Sequence, residues 1–476
     1  AGPAGARGAR GACGRDAVES RMSATLPWHA KLLYGSGDTG FSLTSTIVGA
    51  YFAIFLTDVV GIAPGVAAAA IFIGRTWAYC NDPFIGYLSD RTRTRWGRRR
   101  PFLLFGALPF AAVFAMLWWR PPFSSPVALA VYYAAAYLLY DTGATFVYMP
   151  YFALTPELTP DYDERTSLTS YRMFFSIAAS FVAFTLPLAI VGTFRPENAP
   201  RVWLMGGLFG LASALPLLGV FLGTREKEEF AAQERPKAIA SLKAAVKNRP
   251  FRLSLLIYLF TWMSMDLMQM IILYFVKHAI GREGESDLLM GTIFGAAILS
   301  LPLWNFAARR WNKRLAYVVG VAFWAAMQMV IMSFGAATPL PLVIAVCALA
   351  GVGVGAAHVL PWSILPDAVE YDEWKTGTRH EGTFYSLVTL AQKVASSAAV
   401  PLALLLLQAT GYTANAATQP ASAVRAIRII TGPIPLALLS CGIACAALYP
   451  IGREEVAKIT AELAARSDYP LHLGLT

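Results

Sequence analysis

Long apolar runs separated by short charged loops leave this chain few ways to fold. Leu43–Leu56, Phe102–Trp119, Val127–Tyr140, Ser176–Val191, Leu315–Phe334 and Ile434–Leu448 are examples. A helix that crosses a bilayer needs roughly 20 mostly apolar residues, and in lipid only helices and closed barrels satisfy every backbone group. The runs are continuous rather than alternating, which selects helices over a barrel. Charged residues make up 14% of the chain, against about 25% in a soluble domain. The pattern predicts twelve spans, at 38–60, 64–89, 101–120, 126–151, 168–192, 201–223, 250–278, 287–309, 314–335, 340–364, 381–409 and 427–450.

The net charge of +10 is concentrated in a few loops. Six arginines fall in Arg91–Arg100, eight basic residues in Arg225–Arg252 and four in Arg309–Arg314. These segments follow spans 2, 6 and 8, all on one side, and Lys and Arg mark the cytoplasmic side. They therefore place both termini in the cytoplasm and need no nucleic acid or other anionic partner. Residues 1–21 are rich in Arg, Gly and Ala and lack the apolar core of a secretory signal. They are either foreign sequence before a start at Met22 or a basic cytoplasmic tail. The five cysteines (13, 80, 347, 441 and 445) are scattered. Cys441 and Cys445, one turn apart, are expected to pack as small hydrophobes.

The charged connection 224–250 splits the chain into a six-helix half at 33–223 and another at 251–450, flanked by tails at 1–32 and 451–476. A short basic turn follows the second span of each half, Asp90–Arg100 and Arg309–Arg314. Two six-helix halves with a site between them near midplane describe the major facilitator fold, which works by alternating access. The fold class is thus an all-α membrane protein of twelve transmembrane helices. Arg453–Arg466 forms a charged amphipathic helix beyond the last span.

Charges inside spans are functional candidates because each costs about 2.5–3.5 kcal/mol or more at a helix centre. Asp82 lies in span 2, and Arg75, seven residues earlier, shares its helix face. Lys393 lies 12 residues into span 11. That is about 18 Å at helical rise, too deep for easy snorkelling. Asp38, Asp141 and Asp266 are further carboxylates that either contact a substrate or close interhelical hydrogen bonds. Trp262, Met263, Met265, Met268 and Met270 line span 7 as packing residues or as an apolar cleft, and His358 is either a proton relay or an interhelical hydrogen bond. No His/Glu/Cys cluster has metal-ligand spacing, and no nucleophile–base pair is visible, so the chain is not expected to be an enzyme or to hold a cofactor.

Several motifs in order resemble the glycoside–pentoside–hexuronide:cation symporter family. They are Tyr34–Gly37, Thr57–Gly61, Asn81-Asp82-Pro83 through Asp90, Arg95–Pro101, Pro150–Arg165, Pro366-Asp367, Glu370–Glu373 and Glu381-Gly382, spread from Leu33 to Tyr449. The family contains sugar symporters driven by sodium, lithium or protons and is related to a vertebrate sodium-dependent lysolipid carrier. The resemblance implies a cation site at Asp82 with Thr145 as a hydroxyl ligand, and an intramembrane lysine at Lys393. Melibiose-carrying members have a second acid one turn before the Asp82 position, where this chain has Ala78. One carboxylate holds sodium less well than two but still takes a proton, so a proton is expected over sodium as coupling ion. The family's sugar-binding acids match Ser42 and Tyr148, its stacking aromatic matches Phe152, and its span-5 arginine matches Met173, beside Arg172. Those losses argue against a melibiose-like galactoside.

The resemblance thus implies a cation-coupled symporter of a sugar, glycoside or related polar solute. The alternative is a carrier of a lysolipid-like amphiphile. A non-transporting receptor on this fold would have to explain Asp82 and Lys393 inside the membrane. Asp90, Arg95, Arg98, Glu157 and Arg165 are expected to form a cytoplasmic gate, with Asp161, Asp163, Glu164, Glu370 and Asp372 as further partners. The expected partners are a small-molecule substrate and the bilayer, with the chain a monomer in a bacterial inner membrane.

Overall fold

The computed structural model describes residues 26–159, 162–224, 247–377, 381–414, 416 and 418–467. Most of the basic connection, the far N-terminal tail and the end of the C-terminal tail lie outside them, as do Cys13 and Asp161. The side chains of Asp90, Glu157, Asp163 and Arg165, four of the expected gate residues, also lie outside what is described.

Twelve helical segments follow in order: α1 (Trp28–Ile54), α2 (Pro64–Arg91), α3 (Arg100–Leu117), α4 (Pro126–Ala153), α5 (Tyr162–Val191), α6 (Ala199–Gly223), α7 (Arg249–Tyr274), α8 (Ser286–Arg310), α9 (Lys313–Met332), α10 (Leu340–Thr376), α11 (Glu381–Ala409) and α12, in two pieces (Ala421–Thr431 and Pro433–Ala447). The short tail helix α13 (Arg453–Ser467) completes the described chain. Prolines open α2 and α4, where a missing N–H costs nothing. Side chains cap others: Asn248 Oδ1 accepts from Phe251 N at 3.0 Å at the start of α7, which satisfies an otherwise orphaned donor.

Ten of these helices are long and apolar enough to cross a membrane by length and composition. The two that fall short are α2, which carries Arg75, Asn81 and Asp82, and α4, which carries Asp141 and six tyrosines. Their polar side chains face one another and α11, as described below, so the bundle covers them.

Every main packing pair in the first half recurs six helices later. Helix α1 packs on α5 and α6, α2 on α4, and α3 on α4 and α6; α7 packs on α11 and α12, α8 on α10, and α9 on α10 and α12. The halves meet where α2 lies on α11, α5 on α8, and α1 on α7. This is the arrangement of two repeats about a pseudo-two-fold axis. It is a far sharper repeat than the two basic turns visible in the sequence.

The repeat extends to a backbone irregularity. Helices α1 and α7 both end in six-residue π-helical turns, Phe55–Val60 and Phe275–Ile280. Each is closed by a glycine in the left-handed region, Gly61 at φ 89° and Gly281 at φ 73°, a conformation that costs other residues a Cβ clash. Other boundaries differ from expectation. Helix α1 begins ten residues before the expected span, at Trp28, and α10 continues past 364 through Pro361 and Pro366 to Thr376. Prolines persist in such helices because the surrounding bundle shields the locally broken backbone ladder. The last span is expected as one helix but breaks at Gly432, because Pro433 has no N–H to continue the first piece.

The two π-turns fasten the halves at the end remote from the arginine-rich loops. Asp58, whose side chain is 1% exposed, accepts an ion pair from Lys277 Nζ at 2.5 Å. Its other oxygen accepts from Tyr412 Oη at 2.7 Å and Thr57 Oγ1 at 2.9 Å. Lys277 also faces Glu283 at 3.5 Å, which holds Arg195 at 2.8 Å.

Two stability predictions follow from this packing. A Cβ on Gly210 of α6 would meet the Ala111 carbonyl oxygen at 2.7 Å, whereas one on Gly207 meets nothing within 4 Å. Gly210→Val is expected to cost about 1–3 kcal/mol and Gly207→Ala less than about 0.5 kcal/mol, by thermal unfolding in detergent. Lys277→Ala strands a buried carboxylate and is expected to cost about 3 kcal/mol. The double variant Asp58→Asn/Lys277→Ala should melt above Lys277→Ala alone; a lower melting point would show that the charge pair is not what fastens this end.

Candidate functional site

Helices α2, α4 and α11 meet at mid-depth around Asp82. Its carboxylate is paired with Lys393 of α11, the other half of the molecule. The second oxygen accepts from Thr145 Oγ1 of α4 at 3.0 Å. The structure therefore brings together the three residues expected at the cation site. The pair is not sealed: the side chains are 25% and 37% exposed, so a small ion has access.

Arg75 shares the α11-facing side of α2 with Asp82 but is not bonded to it. Its Nη1 donates to the Ser396 carbonyl at 2.7 Å and its Nε to Tyr137 Oη at 3.3 Å. Ser396 in turn donates its hydroxyl to Asp266 of α7. Tyr79 Oη reaches Ser397 and the Lys393 carbonyl on the same helix. Asp141 lies one turn before Thr145 on α4, and Asn81 Nδ2 donates to its carboxylate at 3.4 Å. Asp141, expected as a substrate-binding or interhelical carboxylate, thus sits beside the Asp82–Lys393 pair, and Asp266, expected likewise, sits beyond it at Ser396 and Arg75.

Those residues form a second cluster between α1, α4 and α5. Asp38, buried, faces Arg172 Nε at 3.5 Å. The Arg172 guanidinium lies over the Phe152 ring at 4.6 Å. Phe41 packs edge-on against Tyr148 at 5.3 Å and Phe152 at 5.2 Å. Ser42 and Ser176 share a 2.6 Å hydrogen bond. Tyr148 Oη is buried with no hydrogen-bond partner among the described residues, a costly state that marks it as a group awaiting one. The side chain matched to the family's arginine, Met173, is 46% exposed and takes no part in this cluster, whereas Arg172 is turned to Asp38. One residue of helix rotation, about 100°, separates the two.

The expected gate is only partly described. Arg95 is exposed and stacks on Trp96 at 4.3 Å. Arg98 lies half-buried in the turn before α3. Lys31 pairs with Glu164 at 3.0 Å and Lys313 with Asp367 at 2.5 Å, each within one half. His358 is packed edge-on against Trp262. Sequence reasoning quoted Asn81 and Asp58 within motifs but gave them no role, and it did not single out Ser396, Lys277 or Tyr412. Asp58 and Lys277 occupy the same turn of the two repeats, a signal that becomes visible once the helices are superposed.

Comparison with known proteins agrees with this architecture. Residues 33–453 match the family model described as MFS/sugar transport protein. An uncharacterized symporter of Synechocystis is 32% identical, over 94% of this chain and 98% of its own. A sodium-dependent lysophosphatidylcholine symporter of Danio rerio is 28% identical, over 92% and 88%. An isoprimeverose transporter of Lactiplantibacillus pentosus is 28% identical, over 85% of each. Among solved structures, a D-xylose-proton symporter superposes with a TM-score of 0.65 at 14% identity, over 89% of this chain and 97% of its own, which bears on the fold alone. The chain belongs to the MFS/sugar transport protein family, the glycoside–pentoside–hexuronide:cation symporters of the major facilitator superfamily, and is a membrane transporter rather than an enzyme.

Proposed function

We propose that this transporter couples a monovalent cation to solute entry through the Asp82–Lys393 pair. The observation that carries the reading is a carboxylate from one half held by an ammonium from the other, at mid-depth, with a hydroxyl ligand in place. With no cation bound, Lys393 neutralises Asp82 and ties α2 to α11. A cation on the Asp82 side competes with Lys393 for the carboxylate and frees the two helices to move apart. Arg75, two turns from Asp82, and Ser396, one turn from Lys393, rejoin the same helices, so they follow that motion. On the expectation that the arginine-rich loops are cytoplasmic, the Asp58–Lys277 fastening closes the outer end.

The substrate cluster supports a sugar, glycoside or related polar solute. Phe41, Tyr148 and Phe152 offer ring faces, and Asp38, Arg172, Ser42 and the unsatisfied Tyr148 hydroxyl offer hydrogen bonds. The isoprimeverose relative is consistent with that class. A second reading, a zwitterionic lysolipid, is favoured by one feature: Asp38 faces Arg172 and is not a free carboxylate. A phosphate and an amine match that pair as well as hydroxyl groups do, and the lysophosphatidylcholine symporters are relatives over most of the chain.

A thermal-shift panel on purified protein separates these readings. Isoprimeverose, other glycosides, uronides and lysophosphatidylcholine are each added with sodium or choline chloride at pH 6 and 8. A ligand at 100 times its Kd raises stability by about 2.7 kcal/mol. Stabilisation by a sugar supports the first reading, and stabilisation by the lysolipid alone removes it in favour of the second. In proteoliposomes, Asp82→Asn is expected to abolish cation-driven accumulation by at least about tenfold while retaining exchange of internal for external substrate. Undiminished accumulation would remove Asp82 from coupling.

A further inference from the structure

Among the described residues, the middle of the bundle holds four carboxylates and three cationic side chains. Asp38 faces Arg172, Asp82 holds Lys393, and Asp266 has the Ser396 hydroxyl and lies in the field of Arg75. Asp141 is left over. Its described hydrogen-bond donor is the Asn81 amide, at 3.4 Å to the carboxylate and 3.5 Å to its own backbone carbonyl, two long bonds from one group. Asp141 nevertheless lies within electrostatic reach of both Lys393 and Asp82.

Its position follows from the register of two parallel helices. Gly74 of α2 lies against Tyr137 of α4, Asp82 against Thr145, and Gly86 against Met149. In that register Ala78 is level with Asp141, and Asp141 and Thr145, four residues apart, share the face turned to α2. On its other flank α4 meets α3, which presents the Phe110 and Phe114 rings to Tyr140. The charged groups around Asp141 are therefore Asp82 and Arg75 from α2 and Lys393 from α11, with Asp266 of α7 beyond Arg75.

With every group ionised, this centre carries one excess negative charge, and an uncompensated charge at mid-depth is costly. We infer that Asp141 carries the exchangeable charge, so that the transporter takes up one monovalent cation per cycle. That cation is a proton on the Asp141 carboxylate or a sodium ion held between Asp141 and Asp82 beside the Thr145 hydroxyl. The inference rests on the symport reading and extends it, by naming the second carboxylate and the stoichiometry. Asp82 is the partner of Lys393 until that cation arrives. The cation bound at Asp141 removes the second attraction that holds Lys393 in place, which loosens the α2–α11 crossing.

The test measures the melting temperature of purified wild-type protein, Asp141→Asn and Asp141→Glu. Sodium replaces choline at constant ionic strength, and pH is titrated separately. The expected wild-type response is to sodium or to protons, with a one-site curve. Asp141→Asn should weaken that response by about tenfold or more, and Asp141→Glu should retain it with a shifted midpoint. An unchanged response in Asp141→Asn, or a two-site curve in the wild type, overturns the inference while leaving Asp82 coupling intact. A wild type that responds to neither cation removes the symport reading as well. Ala78→Asp covers the case in which Asp141→Asn does not fold. A new carboxylate level with Asp141 should tighten the wild-type response or make it two-site, and no change would overturn the assignment.

Discussion

A charge cannot rest unpaired in the middle of a bilayer, and the rest of this molecule is arranged around that constraint. Asp82 is tolerable because Lys393 neutralises it, and Lys393 belongs to the other half of the chain. The halves are therefore held together by the same charge that a coupling cation would engage. The helices that supply the surrounding donors give up the apolar composition of a free-standing span. Helix α2 carries Arg75, Asn81 and Asp82, and α4 presents a row of tyrosines. Both survive because neighbouring helices shield them, and an ion pair inside a bundle stays intact only while its remaining hydrogen bonds are supplied. Thr145 supplies one for Asp82, and Tyr79, bonded to the Lys393 carbonyl, braces α2 against α11.

Much of this was legible in the sequence for a simple reason. Apolar runs of bilayer length announce spans, and an Asp or Lys inside such a run stands out against its surroundings. Asp82, Thr145 and Lys393 were found that way or by motif, and the structure brings them together. What could not be read was rotation and partnership. Met173 and Arg172 differ by one residue in the sequence, yet one is exposed and the other is paired with Asp38. Arg75 was expected to share a face with Asp82, and it does, but only the fold shows that its donors go to Ser396 and Tyr137. Asp58 lies in the Thr57–Gly61 motif, but it and Lys277 fall near predicted span ends, where charges are ordinary, so neither pointed to the other.

The π-turns were equally invisible. A six-residue turn with i→i+5 bonding has no composition of its own, and such turns cluster at functional positions. Here each ends on a glycine that the left-handed backbone requires, Gly61 or Gly281. The widened turns bring Thr57, Asp58 and Lys277 to the seam between α1 and α7, where Thr57 also meets Tyr274 at 2.8 Å. The end of the molecule and its middle are thus fastened by the same kind of bond between the same two halves.

The pseudo-two-fold axis has one more consequence. It pairs two crossings, α2 on α11 and α8 on α5, that would be identical in a perfectly repeated chain. They are not alike. The first carries Asp82, Lys393, Arg75 and Ser396, while at the second Phe184 stacks on Phe294 with nearly parallel rings. Stacked rings slide with little dependence on ionic conditions, whereas the ionic crossing depends on them strongly. One flank is thus held by ring contact and the other by charge. A crossing repeated without change would be ionic on both flanks or on neither, so the asymmetry lies wholly in how the two halves differ in sequence.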